Sequence, residues 1–171
     1  MSCTTILSVS AGKSPEDIKE LQNSHGSAPV VWNELCKKYF GTEDHSYMGH
    51  ISRLWPLYKD QTVPQHHRSV LMMTYDRAYV SKKHFQQASD DIRKFLKDFP
   101  PNERYVNHWR EIAEIYDAPD QGCENIGLYC TSVSDNPFLG YWNEEKDDYD
   151  IIDWGETFEI YDELDGLVAE R

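Results

Sequence analysis

Apolar residues recur at helical spacing through the middle of this chain, and β-branched and aromatic runs mark its beginning and its last third. The most apolar stretch is 63–80, VPQHHRSVLMMTYDRAYV, whose length predicts a helix rather than a strand. Thr62 and Gln65 make a T-x-x-Q capping box, and Pro64 sits in the first turn, where a missing N–H costs nothing. His67, Leu71, Tyr75 and Ala78 share one stripe; Val70, Met73, Arg77 and Val80 share the next. A helix apolar over most of its circumference is buried on most sides, which predicts a central helix for one core.

The rest of the pattern arranges itself around that helix. TTILSVS at 4–10 reads as a strand. Ser14, Pro15, Glu16 and Asp17 read as the capped start of a short helix carrying Ile18 and Leu21. Trp32, Leu35, Cys36, Tyr39 and Phe40 give residues 29–40 a clear apolar stripe, stopped by Gly41. A weaker helix at 46–57 places Met48, Ile51, Leu54 and Trp55 inward until Pro56. Ser81 caps a helix to about Phe99, with Phe85, Ala88, Ile92, Phe95, Leu96 and Phe99 on its buried stripe. A further helix over 102–116 buries Val106, Trp109, Ile112, Ala113 and Tyr116. After Asn125 the period changes. IGLYCTSVS reads as a strand, 138–142 and 149–154 as strands flanking an acidic loop, and 157–168 as a last helix with Phe158, Tyr161, Leu164 and Val168 on one side. The expected fold is α+β over residues 1–171 as one domain. It is mostly helical, with about six helices around the central helix 63–80 and a small antiparallel sheet built from the N-terminal strand and residues 125–154.

Composition adds that the chain is too aromatic for disorder, with 13% Phe, Trp and Tyr. No apolar run approaches the ~20 residues of a membrane helix. MSCTTILSVSAGKS lacks a basic n-region, so a cytoplasmic protein with reduced cysteines is expected. Charge changes the picture more. The net charge is −13, and residues 141–171 hold twelve acids against Lys146 and Arg171, a net −10, while the first 140 residues carry −3. Such a segment repels nucleic acid and membranes and attracts basic partners.

Motif chemistry is incomplete everywhere. Residues 11–14, AGKS, end like a P-loop, but Leu7 stands where its first glycine belongs, so a plain strand-to-helix turn is expected. His66 and His67 are adjacent, so on a helix they point about 100° apart and ligate one metal poorly. H-E-x-x-H and C-x-x-C are absent, the acidic run lacks the glycine of an EF-hand, and Ser132 and Ser134 have no nucleophile-elbow context. No cofactor or metal is therefore expected. His67, Asp76 and Arg77, on the central helix, are the candidate catalytic residues if the protein is an enzyme.

The strongest functional signal is the interleaving of acids and aromatics near the C-terminus, where aromatics anchor interfaces and charges steer encounter. Trp142, Glu144, Glu145, Asp147, Asp148, Tyr149, Asp150 and Asp153 are the expected partner-binding residues. The bland alternative makes these aromatics core and these acids an ordinary solvated face. The favoured expectation is a non-enzymatic acidic inhibitor or immunity-type protein, or a phage-type nucleic-acid mimic. It would cover a basic, nucleic-acid-handling surface of a protein partner and bind neither nucleic acid nor membrane itself. A small enzyme and a structural subunit of a larger assembly are the alternatives.

Overall fold

Alternation along β1 (Cys3–Ser8) sets the two faces of the main sheet. The computed structural model describes residues 3–22, 26–101, 108–130 and 135–169. In it Ile6 packs among the helices, while Leu7 joins Val9 and Phe138 on the opposite face. β2 (Glu16–Gln22), β3 (Ala78–Ser81), β4 (Asn125–Tyr129) and β7 (Phe158–Glu159) complete a five-stranded sheet in the order β2-β1-β4-β3-β7. Its pairings are antiparallel except for β3 with β7, which is parallel. β5 (Trp142–Asn143) and β6 (Asp148–Tyr149) form a separate antiparallel hairpin.

The helices are α1 (Ala28–Phe40), α2 (Ile51–Leu54), α3 (Gln65–Met72), α4 (Phe85–Asp98), α5 (His108–Asp117) and α6 (Ile160–Ala169). One hydrophobic cluster joins residues from all six to Ile6, Leu21, Val80, Ile126 and Leu128 of the sheet. α1 ends as its glycine requires, with Gly41 at φ 66° and its N–H on the Lys37 carbonyl. Two buried hydroxyls share one buried carboxylate: Asp91 accepts from Ser69 Oγ at 2.9 Å and Tyr161 Oη at 3.1 Å. No helix among the described residues is long and apolar enough to cross a membrane.

The fold is α+β, but its centre differs from expectation. The run 63–80 is not one helix. α3 stops at Met72, Thr74 Oγ1 donates to the Leu71 carbonyl at 2.7 Å, and Arg77 takes φ 62° before β3 begins. A buried helix and a buried strand have the same apolar composition, so their sum resembles a longer helix apolar all round. The capping box is also absent. The cap position is Pro64, and Thr62 Oγ1 instead donates to Asp60 Oδ1 at 2.7 Å. Pro56 ends α2 as its ring requires, between short 3₁₀ turns at Tyr47–His50 and Trp55–Lys59. Met48 faces solvent at 70% exposure rather than the core.

The expected N-terminal helix is strand β2, an edge strand whose charged residues suit a solvent-facing position despite their helix propensity. AGKS consequently lies in a strand-to-strand connection, with Gly12 at φ 72°. The antiparallel sheet expected from the N-terminal strand and residues 125–154 becomes a mixed sheet that recruits β3 and β7 and leaves the 142–149 hairpin outside. α5 carries Trp109, Ile112, Ala113 and Tyr116 inward, whereas Val106, Ser132 and Ser134 lie outside the described residues. Val168 is exposed on α6. Cys123 and Cys130 do not bridge; their thiols face the carbonyls of Asn125 and Met73.

Candidate functional site

The acidic segment is built outward from the second face of the sheet. Phe138 is buried against Leu7 and Val9, and its ring lies directly over Gly127, where an added Cβ would meet it at 2.5 Å. Gly140 then lets the backbone close on itself: its N–H donates to the Asp150 carbonyl at 2.8 Å, and a Cβ there would meet that oxygen at 2.2 Å. Asp150 N–H returns a bond to the Tyr141 carbonyl at 2.8 Å. From this neck the β5–β6 hairpin projects. Asn143 Oδ1 shapes its turn by accepting from the Glu145 and Lys146 N–H groups, and Asp147 takes φ 51°.

The hairpin presents its rings to solvent. Trp142 is 51% exposed and Tyr149 42%, and they pair edge-on with centroids 5.2 Å apart. Tyr141 and Ile151 extend the exposed apolar surface. Glu144, Glu145, Asp147 and Asp148, on the same hairpin, are all exposed. Asp150 is engaged within the hairpin, where Lys146 Nζ and Asn143 Nδ2 hold its carboxyl below the usual range. Asp153 Oδ1 accepts from the Gly155 N–H and caps the turn Trp154–Glu156. The remaining aromatics of the segment are structural. Trp154 packs on Tyr79, Phe158 contacts Tyr75, and Tyr161 is buried in the helical core.

The three candidate catalytic side chains take different surroundings. Asp76 is exposed. Arg77 pairs with Glu156, and its carbonyl accepts from Phe158 N–H. His67 is fully buried, and its contacts lie with α1 and α4. None of the bonds above joins His67 to either of the other two.

A different constellation forms around His67. Asp98 Oδ2 lies 3.0 Å from His67 Nε2 and 2.8 Å from His66 Nε2. The two rings stand at the first turn of α3, and their centroids are 4.5 Å apart. Adjacent positions do diverge around a helix, but a carboxylate placed between the two rings lets both reach one oxygen. On the far side of His67, Nδ1 lies 2.6 Å from Tyr39 Oη. Burial pushes the His67 imidazole down to about 4, with His66 adding to the effect against the opposing pull of Asp98. The neutral ring therefore donates its Nε2–H to Asp98, which can only accept, and accepts a hydrogen bond from the Tyr39 hydroxyl at Nδ1. Burial pushes the Tyr39 hydroxyl up to about 12, so it is a donor and not a phenolate. The His66 and His67 ring N–H groups hold the Asp98 carboxyl below the usual carboxylate range.

A second cluster has similar composition. Glu159 Oε1 accepts from Ser81 N–H, Ser81 Oγ and His84 Nδ1, and its Oε2 accepts from Asp162 N–H. Asp162 itself pairs with Lys83. Neither Asp98, Tyr39 nor Glu159 is marked in the sequence by any motif; each meets its histidine only through tertiary packing.

No protein-family model, curated protein or solved structure matches this chain.

Proposed function

We propose that this is an acidic binding protein that docks its β5–β6 hairpin onto a basic surface of another protein, of the kind that handles nucleic acid. The observation that carries this reading is the Trp142–Tyr149 pair, left in solvent on a hairpin that also carries four exposed carboxylates. Paired aromatics supply anchor area at low entropic cost, and the carboxylates steer the approach of a basic partner. Residues 141–153 carry six acids and one base, and that base is occupied by Asp150. A neutralising protein of the immunity or phage-inhibitor type, covering the phosphate-binding face of its target, would act in this way. The enzymatic alternative draws no support from His67, Asp76 and Arg77, whose partners differ. The experiment is a partner recovered from the native cell and measured kinetically against salt. Charge reversal at Glu144, Glu145, Asp147 and Asp148 is expected to slow association, and Trp142→Ala to speed dissociation. An acidic partner, or an association rate indifferent to salt and to the reversals, refutes the reading.

A further inference from the structure

Asp98 is the last residue of α4, where the helix presents unpaired carbonyls and the negative end of its dipole. A carboxylate at that end is electrostatically misplaced unless a cation compensates it. What meets it is two imidazole nitrogens on one oxygen, at 2.8 and 3.0 Å, with all three ligand atoms within 4.8 Å of one another. We propose that His66 Nε2, His67 Nε2 and Asp98 Oδ2 form a binding site for a divalent transition ion of the zinc class, with its remaining coordination position open to water.

The donor set selects the ion. Two imidazoles and one carboxylate suit Zn²⁺ and its neighbours Co²⁺, Ni²⁺ and Cu²⁺, and not Ca²⁺ or Mg²⁺, which take oxygen ligands. Tetrahedral zinc with bonds of about 2.0–2.1 Å sets its ligand atoms roughly 3.3 Å apart. The histidine–aspartate contacts therefore need to open by only a few tenths of an ångström. The accessible members can supply that movement, since His66 is partly and Asp98 42% exposed on their side chains. His67 is the fixed member, wedged between Phe95 and Phe99. Its outer partner is already in place. When a metal takes Nε2, the imidazole proton moves to Nδ1 and donates to Tyr39 Oη, 2.6 Å away, while the Tyr39 hydroxyl proton turns aside. No proton is lost from His67 in this exchange. Lys38, near Phe99, opposes the ion's charge, and the Asp98 carboxylate favours it.

The second cluster, His84 with Glu159 and Asp162, does not qualify. Both Glu159 oxygens already hold backbone N–H groups, and Asp162 holds Lys83.

The test uses the whole chain, stripped with a chelator and titrated with Zn²⁺ against a chromogenic competitor, then with Co²⁺ by visible absorption. One equivalent of saturable binding and tetrahedral Co²⁺ bands are expected. His66→Ala and Asp98→Asn, both on the solvent side and checked for folding by circular dichroism, are expected to weaken Zn²⁺ binding at least about tenfold; Tyr39→Phe is expected to weaken it by about tenfold through loss of the outer hydrogen bond. His84→Gln is expected to leave it unchanged. Absence of saturable binding by the folded chain, or binding that survives His66→Ala and Asp98→Asn together, overturns the proposal.

Discussion

The two ends of α4 carry the same chemistry put to opposite uses. At its start, His84 leans on Glu159, whose oxygens also hold the N–H groups of Ser81 and Asp162. Glu159 lies at the N-terminus of α6, where an anion is favoured by the dipole, and it knits that helix to the end of β3. At the other end, Asp98 sits at a helix C-terminus, where an anion is disfavoured, and it bonds side chains only. A histidine–carboxylate cluster is thus structural when its oxygens are consumed by backbone donors. It retains capacity for a ligand when they are not.

The largest effect of a substitution that could break this contrast is at Glu159. Glu159→Ala removes a buried side chain and the acceptor of the Ser81 and Asp162 N–H groups and of His84, and is expected to destabilise the fold by roughly 2 kcal/mol in denaturant melts. A loss comparable to a surface substitution would mean that the carboxylate does not cap, and the distinction between the clusters would fall.

Acid should strike the other end. His67 titrates near 6.5 when unfolded and is pushed down to about 4 when folded, so between those values the unfolded chain binds more protons. Stability is then lost as pH falls through that window, by up to about 3 kcal/mol. Asp98, whose carboxyl is held low by its histidine donors, adds loss in the same direction at lower pH. A His67→Phe chain is expected to show a flatter profile between pH 6.5 and 4; parallel profiles for the two chains would refute the burial argument.

Asp98→Asn keeps one acceptor and removes a charge that is partly in water, so without metal it should cost only about 0.5–1 kcal/mol. The smallest effect belongs to Asp162→Ala, since its Lys83 partner is exposed, and no measurable change in the denaturation midpoint is expected. A large effect there would show that Asp162 shares the buried work assigned to Glu159.

Amphipathic helices were legible in the chain, and the sites were not, for one reason. A stripe such as Trp32, Leu35, Cys36 and Tyr39 declares its face within little more than two turns, because helix burial repeats locally. β2 gave no such signal. As an edge strand it exposes Glu16, Asp17, Lys19 and Glu20, so nothing in EDIKELQ alternates cleanly, and its residues favour helix. Trp142 and Trp154 stand in equally acidic contexts, yet one is in solvent and the other lies on Tyr79, because only one borders the sheet. Asp98 meets His66 and His67 from more than thirty positions away, and no spacing rule spans that distance.

The pairing of β3 with β7 has a consequence for how the protein is made. Ala78 waits for Phe158, about eighty residues later in the chain, before its strand is flanked on both sides. Asp91 holds Ser69 early but lacks Tyr161 until α6 has been synthesised. Until residues beyond 158 are synthesised, the nascent chain lacks the partner of one β3 edge, one donor to the Asp91 carboxylate and the α6 part of the core. That interval is when a chaperone would find a binding surface and when two growing chains on one message could exchange strands.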